Sequence, residues 1–170
     1  RFISSSSSYG ISRKLFRSMA SSRMRSVISA RPCFQVISSR NIAAPITTGN
    51  QPWDKETAAE VIGHEPRLHR AANYPDVVAG KGSIVVETAG GERLAVLHLM
   101  GRAFMPTLDC PFQAARRELA KLKQETAAIV VDMHAEATSE KMAMGYFLDG
   151  EVSAVVGTHT HVQTADEQML

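Results

Sequence analysis

The sequence predicts an α/β domain in which parallel strands carry a cluster of histidines at their carboxyl ends. Three stretches lead to this. Val152 to Val156, bounded by Asp149-Gly150 and by Gly157, reads as a short buried strand, and Ala127 to Met133 reads as another. Thr138 to Leu148, between them, has helical composition, so the two strands should run parallel with the helix as crossover. The first strand ends at His134 and the second delivers His159 and His161. Open α/β sheets build their sites at such ends.

In an extended chain, residues two apart project to the same side, so His159 and His161 are expected to share or bracket a cation. Neutral imidazole is a common ligand for zinc, iron and related metals, and His134 on the neighbouring strand strengthens that reading. Ligation requires the neutral ring. Metal affinity is therefore expected to fall as the pH drops through about 6.5.

The remaining elements follow in chain order. Residues 1–53 hold eight of the 19 basic residues and none of the 17 acidic ones, giving this half a charge of +8 and the rest −6. Arg-rich, Ser-rich and acid-free composition is that of an organelle transit peptide, so residues 1–40 are expected to be a disordered leader addressed to mitochondria or plastids, with residues 41–170 forming the folded domain. Without that leader the expectation is cytoplasmic. Lacking Lys clusters and interleaved aromatics, the basic half does not read as a nucleic-acid arm. No run approaches the length of about 18 apolar residues that a membrane helix needs. Cys33 and Cys110 have no close-spaced partners and read as free thiols.

Ile42 to Thr48 can form a strand only with difficulty, because Pro45 removes a ladder donor. Asp54 to Gly63 reads as a helix capped by Asp54, with Trp53 as a packing anchor at its entry. Pro66 to Gly82 is long and turn-rich, and long loops in compact domains are often functional, which makes Arg70 and Asn73 candidate contacts to an anionic substrate. Ser83 to Thr88 and Arg93 to Met100 form a hairpin through Ala89-Gly90-Gly91-Glu92. His98, between Leu97 and Leu99, reads as packed rather than ligating. Phe112 to Glu125 is a helix with Phe112, Ala115, Leu119 and Leu122 on one buried stripe.

Several motifs occur in a fixed order: Gly49-Asn50, Trp53-Asp54, Ala72-Asn73-Tyr74-Pro75, Gly80-Lys81-Gly82, Gly101-Arg102, Asp132-Met133-His134-Ala135-Glu136-Ala137-Thr138-Ser139-Glu140-Lys141, and Gly157-Thr158-His159-Thr160-His161-Val162-Gln163-Thr164-Ala165-Asp166. In these the chain resembles the bacterial metallophosphoesterases described as 2′,3′-cyclic-nucleotide 2′-phosphodiesterases, of the calcineurin-like superfamily. The likeness covers about residues 42–170. It implies a calcineurin-like sandwich of two sheets flanked by helices, here incomplete at both ends, with two metal ions (iron, manganese or zinc) at strand ends. Carried over residue by residue, Asn50, His134 and His159 would ligate one metal and His161 the other.

The resemblance also marks departures. Where the family places a proton-donating histidine after Gly-Asn, this chain has Gln51, whose amide hydrogen-bonds but delivers no proton. The family's Gly-Asp and Asn-Gly-Glu-Asn segments, which supply carboxylate ligands, do not occur in residues 1–48. The expected activity is hydrolysis of 2′,3′-cyclic nucleotides or related phosphoesters, with a non-catalytic metal- or protein-binding remnant as the alternative. Expected partners are small-molecule phosphoesters, without stable nucleic-acid binding or a membrane span, and with homo-oligomerisation left open.

Overall fold

The computed structural model describes residues 45–50, 58–88, 90–161 and 164–170, together with the backbone pairing of two short strands further upstream. The elements in order are β1 (Ala30–Arg31), β2 (Gln35–Val36), β3 (Ile46–Thr47), α1 (Ala58–His64), β4 (Leu68–His69), β5 (Ser83–Glu87), β6 (Arg93–Met100), α2 (Pro111–Leu122), β7 (Ile129–His134), α3 (Thr138–Phe147) and β8 (Ala154–Thr158). Five strands form one sheet in the order β1-β8-β7-β6-β5, and β2-β3-β4 form a second. β6, β7 and β8 run parallel, with β5 antiparallel on the β6 edge as the hairpin signal requires. Among the described residues, the first paired strand is Ala30–Arg31, which lies beside β8.

Alternation along the central strands sorts side chains onto two faces. Leu97, Leu99, Val131, Met133 and Val155 pack against Ala114, Ala115, Leu119 and Leu122 of α2 and Met144 and Leu148 at α3, forming the main core. The α2 stripe matches expectation, with Phe112 half-buried and set edge-on to Phe147 at 5.2 Å. The opposite face begins apolar, with Leu94, Val96, Val130 and Ala154. Toward the carboxyl ends it turns polar: His98, Asp132, His134 and Thr158 lie on it, with His98 in register with Asp132 and His134 with Thr158. Thr47 and His69, partners in the smaller sheet, are buried as well.

One geometric expectation is corrected here. β8 ends at Thr158, and His159 and His161 have φ angles of 98° and 52°. The chain has left the extended conformation before either histidine, so two-residue alternation does not put their rings on one side. Asp54, Trp53 and the start of the expected first helix lie outside the described residues, which contain α1 from Ala58 onward.

Candidate metal centre at the strand ends

The polar face has a fixed hydrogen count. Thr158 donates its hydroxyl hydrogen to Asp132 Oδ1 at 2.7 Å, and its oxygen lies 3.0 Å from His134 Nδ1. A hydroxyl has one hydrogen, already given to a carboxylate that can only accept, so Nδ1–H of His134 must donate to Thr158. Nε2 of His134 then carries a lone pair. Burial, reinforced by the charge of His98 and opposed by Asp132, pushes His134 down to about 3, so the ring is neutral across the physiological range.

That lone pair faces two other atoms. Asn50 Oδ1 lies 3.1 Å from His134 Nε2, and His159 Nδ1 lies 3.1 Å from the same atom. His159 Nε2 sits 2.8 Å from Glu136 Oε2, at ion-pair distance. An amide oxygen and two imidazole nitrogens thus converge. They form a donor set that suits a borderline transition metal. Among the described residues no group of three His, Cys, Asp or Glu side chains gathers around one point. The third donor here is an amide.

Local structure explains why Asn50 reaches this position. Gly49 has a φ of 64°, and a Cβ there would lie 2.6 Å from His134 Cε1. Only glycine lets the chain turn over the imidazole face. Below the ligands, burial works to raise Asp132, but attraction from His98 and hydrogen bonds that include those from Thr47 and Thr158 outweigh it and hold the carboxyl below its usual range. His98 Nδ1 sits 3.3 Å from Asp132 Oδ2, at ion-pair distance but without hydrogen-bond geometry. Its ring centroid is 6.1 Å from that of His134, which makes it a packed neighbour of the site rather than a ligand.

Other sequence candidates go elsewhere. His161 is exposed and has no described contact with the other three. Gln51 lies outside the described residues. Asn73 is fully buried, donating to Met100 O and Asp109 O at 2.9 Å each and accepting from Met100 N–H at 2.9 Å. Arg70 is 6 % exposed and donates to the carbonyls of Ala71 and Val78. The long loop uses these side chains to hold its own backbone and β6. Asp132, Thr158, Glu136 and Lys141 also meet the site residues or their neighbours, and no sequence expectation singles them out. A carboxylate inside an apolar strand, as at Asp132, was the available signal. Lys141, 4 % exposed, donates to Thr160 Oγ1 at 3.2 Å and so fastens the turn between the last two histidines.

The model for YmdB-like proteins matches residues 34–170. The chain belongs to this YmdB-like family. It is 51 % identical over 128 residues to the 2′,3′-cyclic-nucleotide 2′-phosphodiesterase of Bacillus subtilis (strain 168), covering 75 % of this chain and 48 % of that protein. A putative phosphatase/phosphodiesterase of Mycoplasma pneumoniae is 34 % identical over 130 residues, covering 71 % and 44 %. Among solved structures, a hypothetical protein from Thermus thermophilus superimposes with a TM-score of 0.68 at 33 % identity, covering 86 % of this chain and 72 % of that one. A phosphatase from Mycoplasma pneumoniae gives 0.62 at 33 % identity, covering 72 % and 44 %. The YmdB-like chain spans about half the length of the curated relatives it matches. Its two sheets and flanking helices form the metallophosphoesterase sandwich that the motif order implies.

Proposed function

We propose that this chain carries the metal-binding core of a phosphodiesterase that hydrolyses 2′,3′-cyclic nucleotides or related phosphoesters. The observation that carries the reading is the convergence of Asn50 Oδ1, His134 Nε2 and His159 Nδ1. The Bacillus subtilis relative, named for that reaction, supports the substrate class. Asn50, His134 and His159 would hold one iron, manganese or zinc ion, and His161 would serve a second. Bound metal in such a site activates water and neutralises charge on phosphoryl oxygens. The chain's own residues supply orientation. Thr158 and Asp132 fix the His134 tautomer, Glu136 lies at ion-pair distance from His159, and Gly49 brings the amide of Asn50 over the ring.

Gln51 favours a second reading, a non-catalytic metal-binding remnant, because an amide cannot protonate the leaving oxygen. One assay separates the two. Hydrolysis of 2′,3′-cyclic AMP is followed with added manganese or iron for the wild-type chain and for His159→Ala. The phosphodiesterase reading expects turnover in the wild type that the variant loses. Equal rates contradict it, and metal binding without turnover leaves the remnant reading.

A further inference from the structure

The loop after β6 holds a bulky residue in a conformation that bulky residues avoid. Phe104 has a φ of 60° with 93 % of its surface exposed. Such a backbone persists only where its surroundings hold it, and it is an outlier for a residue of this size. Here it is fastened on both sides. The Glu140 carboxylate accepts the backbone N–H groups of Arg102 and Ala103 at 3.0 Å each, and Gly101 N–H donates to His134 O at 2.9 Å. Beyond Phe104, Met105 Sδ accepts the Glu136 N–H at 3.2 Å, and the Glu136 carboxylate lies 2.8 Å from His159 Nε2.

The loop is therefore tied to both histidines of the candidate metal centre, with Phe104 between the ties. Isolated exposed apolar residues are ordinary on protein surfaces. This ring differs because it buries almost nothing while its backbone is kept in a disfavoured conformation by contacts to site residues. Folding gains little from that arrangement. An exposed ring carried on a loop fastened to residues of the candidate site has an evident use.

We infer that Phe104 is a stacking platform for the nucleobase of a cyclic-nucleotide substrate. The inference rests on the phosphodiesterase reading and adds the part of the substrate that the metal centre does not touch. Every base offers a π-face to an aromatic ring, so Phe104 would favour nucleotides over base-free phosphoesters without selecting among bases.

The test measures binding by calorimetry with manganese present, using 2′,3′-cyclic AMP and ribose 2′,3′-cyclic phosphate, which lacks the base. The proteins are the wild-type chain, Phe104→Ala and Phe104→Tyr, with mass checked by light scattering. Phe104→Ala should weaken nucleotide binding on the order of tenfold, equivalent to about 1.4 kcal/mol and within the range for base–aromatic stacking. Ribose cyclic phosphate should bind both proteins equally, and Phe104→Tyr should retain wild-type nucleotide affinity. Equal nucleotide affinity in wild type and Phe104→Ala, equal loss for the base-free compound, or no nucleotide binding by the wild type overturns the proposal. So does a change of oligomeric mass in Phe104→Ala, which would assign the ring to a contact between copies. Hydrolysis followed in the same samples separates the two ideas: Phe104-dependent binding without cleavage refutes the phosphodiesterase reading and upholds the stacking subsite.

Discussion

Thr158 sets the protonation pattern of the site, because its single hydroxyl hydrogen goes to Asp132 and its oxygen takes the hydrogen of His134 Nδ1. Thr158→Val keeps the shape and removes both bonds. Metal affinity should fall on the order of 10–100-fold, as for other changes that disorient a ligating histidine, while Thr158→Ser should restore it. Titration calorimetry reads both, and unchanged affinity in Thr158→Val would show that the tautomer is set by other means. His69 makes a separate claim about pH. It is 2 % exposed, neither ring nitrogen reaches hydrogen-bond geometry with a described residue, and burial with the neighbouring charge of His98 pushes it down to about 4. Because the unfolded chain protonates this ring near 6.5, its contribution to stability is complete above that pH and is lost progressively as pH falls toward 4. Thermal melts of His69→Leu should show a shallower decline over that window than the wild type; an identical slope would remove His69 from the account. Burial also separates His134 from the sequence expectation that proton competition sets in near 6.5, since only the folded environment moves its titration to about 3.

Among the elements, those with regular period were legible and those defined by long-range contacts were not. The α2 stripe follows from the spacing of Ala115, Leu119 and Leu122, which the helix buries against β6 and β7. Leu119→Ala should cost about 2–5 kcal/mol, the usual range for truncating a buried leucine, measured by chemical denaturation. A loss well under 1 kcal/mol would mean that this face is not closely packed. The β7-α3-β8 unit was equally readable, since an apolar run, a helical segment and a second apolar run admit only a parallel crossover. What the period of a strand could not give was its last residue. β8 stops at Thr158, and the turn beyond it, fastened by Lys141 to Thr160, sends His159 toward His134 and leaves His161 exposed. Length and turn residues in the long loop after α1 likewise carry no information about which carbonyls Arg70 and Asn73 will meet. Gly101 shows the same limit from the other side: a Cβ there would lie 2.5 Å from Glu140 Oε2, a contact between residues far apart in sequence.

At the scale of the whole molecule, motif order revealed the sandwich more fully than local pattern did. Nothing in the two-residue strand β3 or in β4 marks them as a second sheet, yet that sheet brings Thr47 to Asp132 and, through Gly49, places Asn50 on His134. The candidate metal centre is thus shared between the smaller sheet, which supplies the amide, and the larger one, which supplies the imidazoles. Its assembly depends on folding, so metal binding and stability should be coupled. The most direct test is metal content and manganese affinity after dialysis at pH 7.5 for the wild-type chain, Asn50→Ala, His134→Ala and His159→Ala, with the exposed His64→Ala as control and circular dichroism to confirm folding. Each of the three site variants should lose at least roughly tenfold in affinity while His64→Ala matches the wild type. Wild-type protein that retains no more metal than folded His134→Ala would contradict the account.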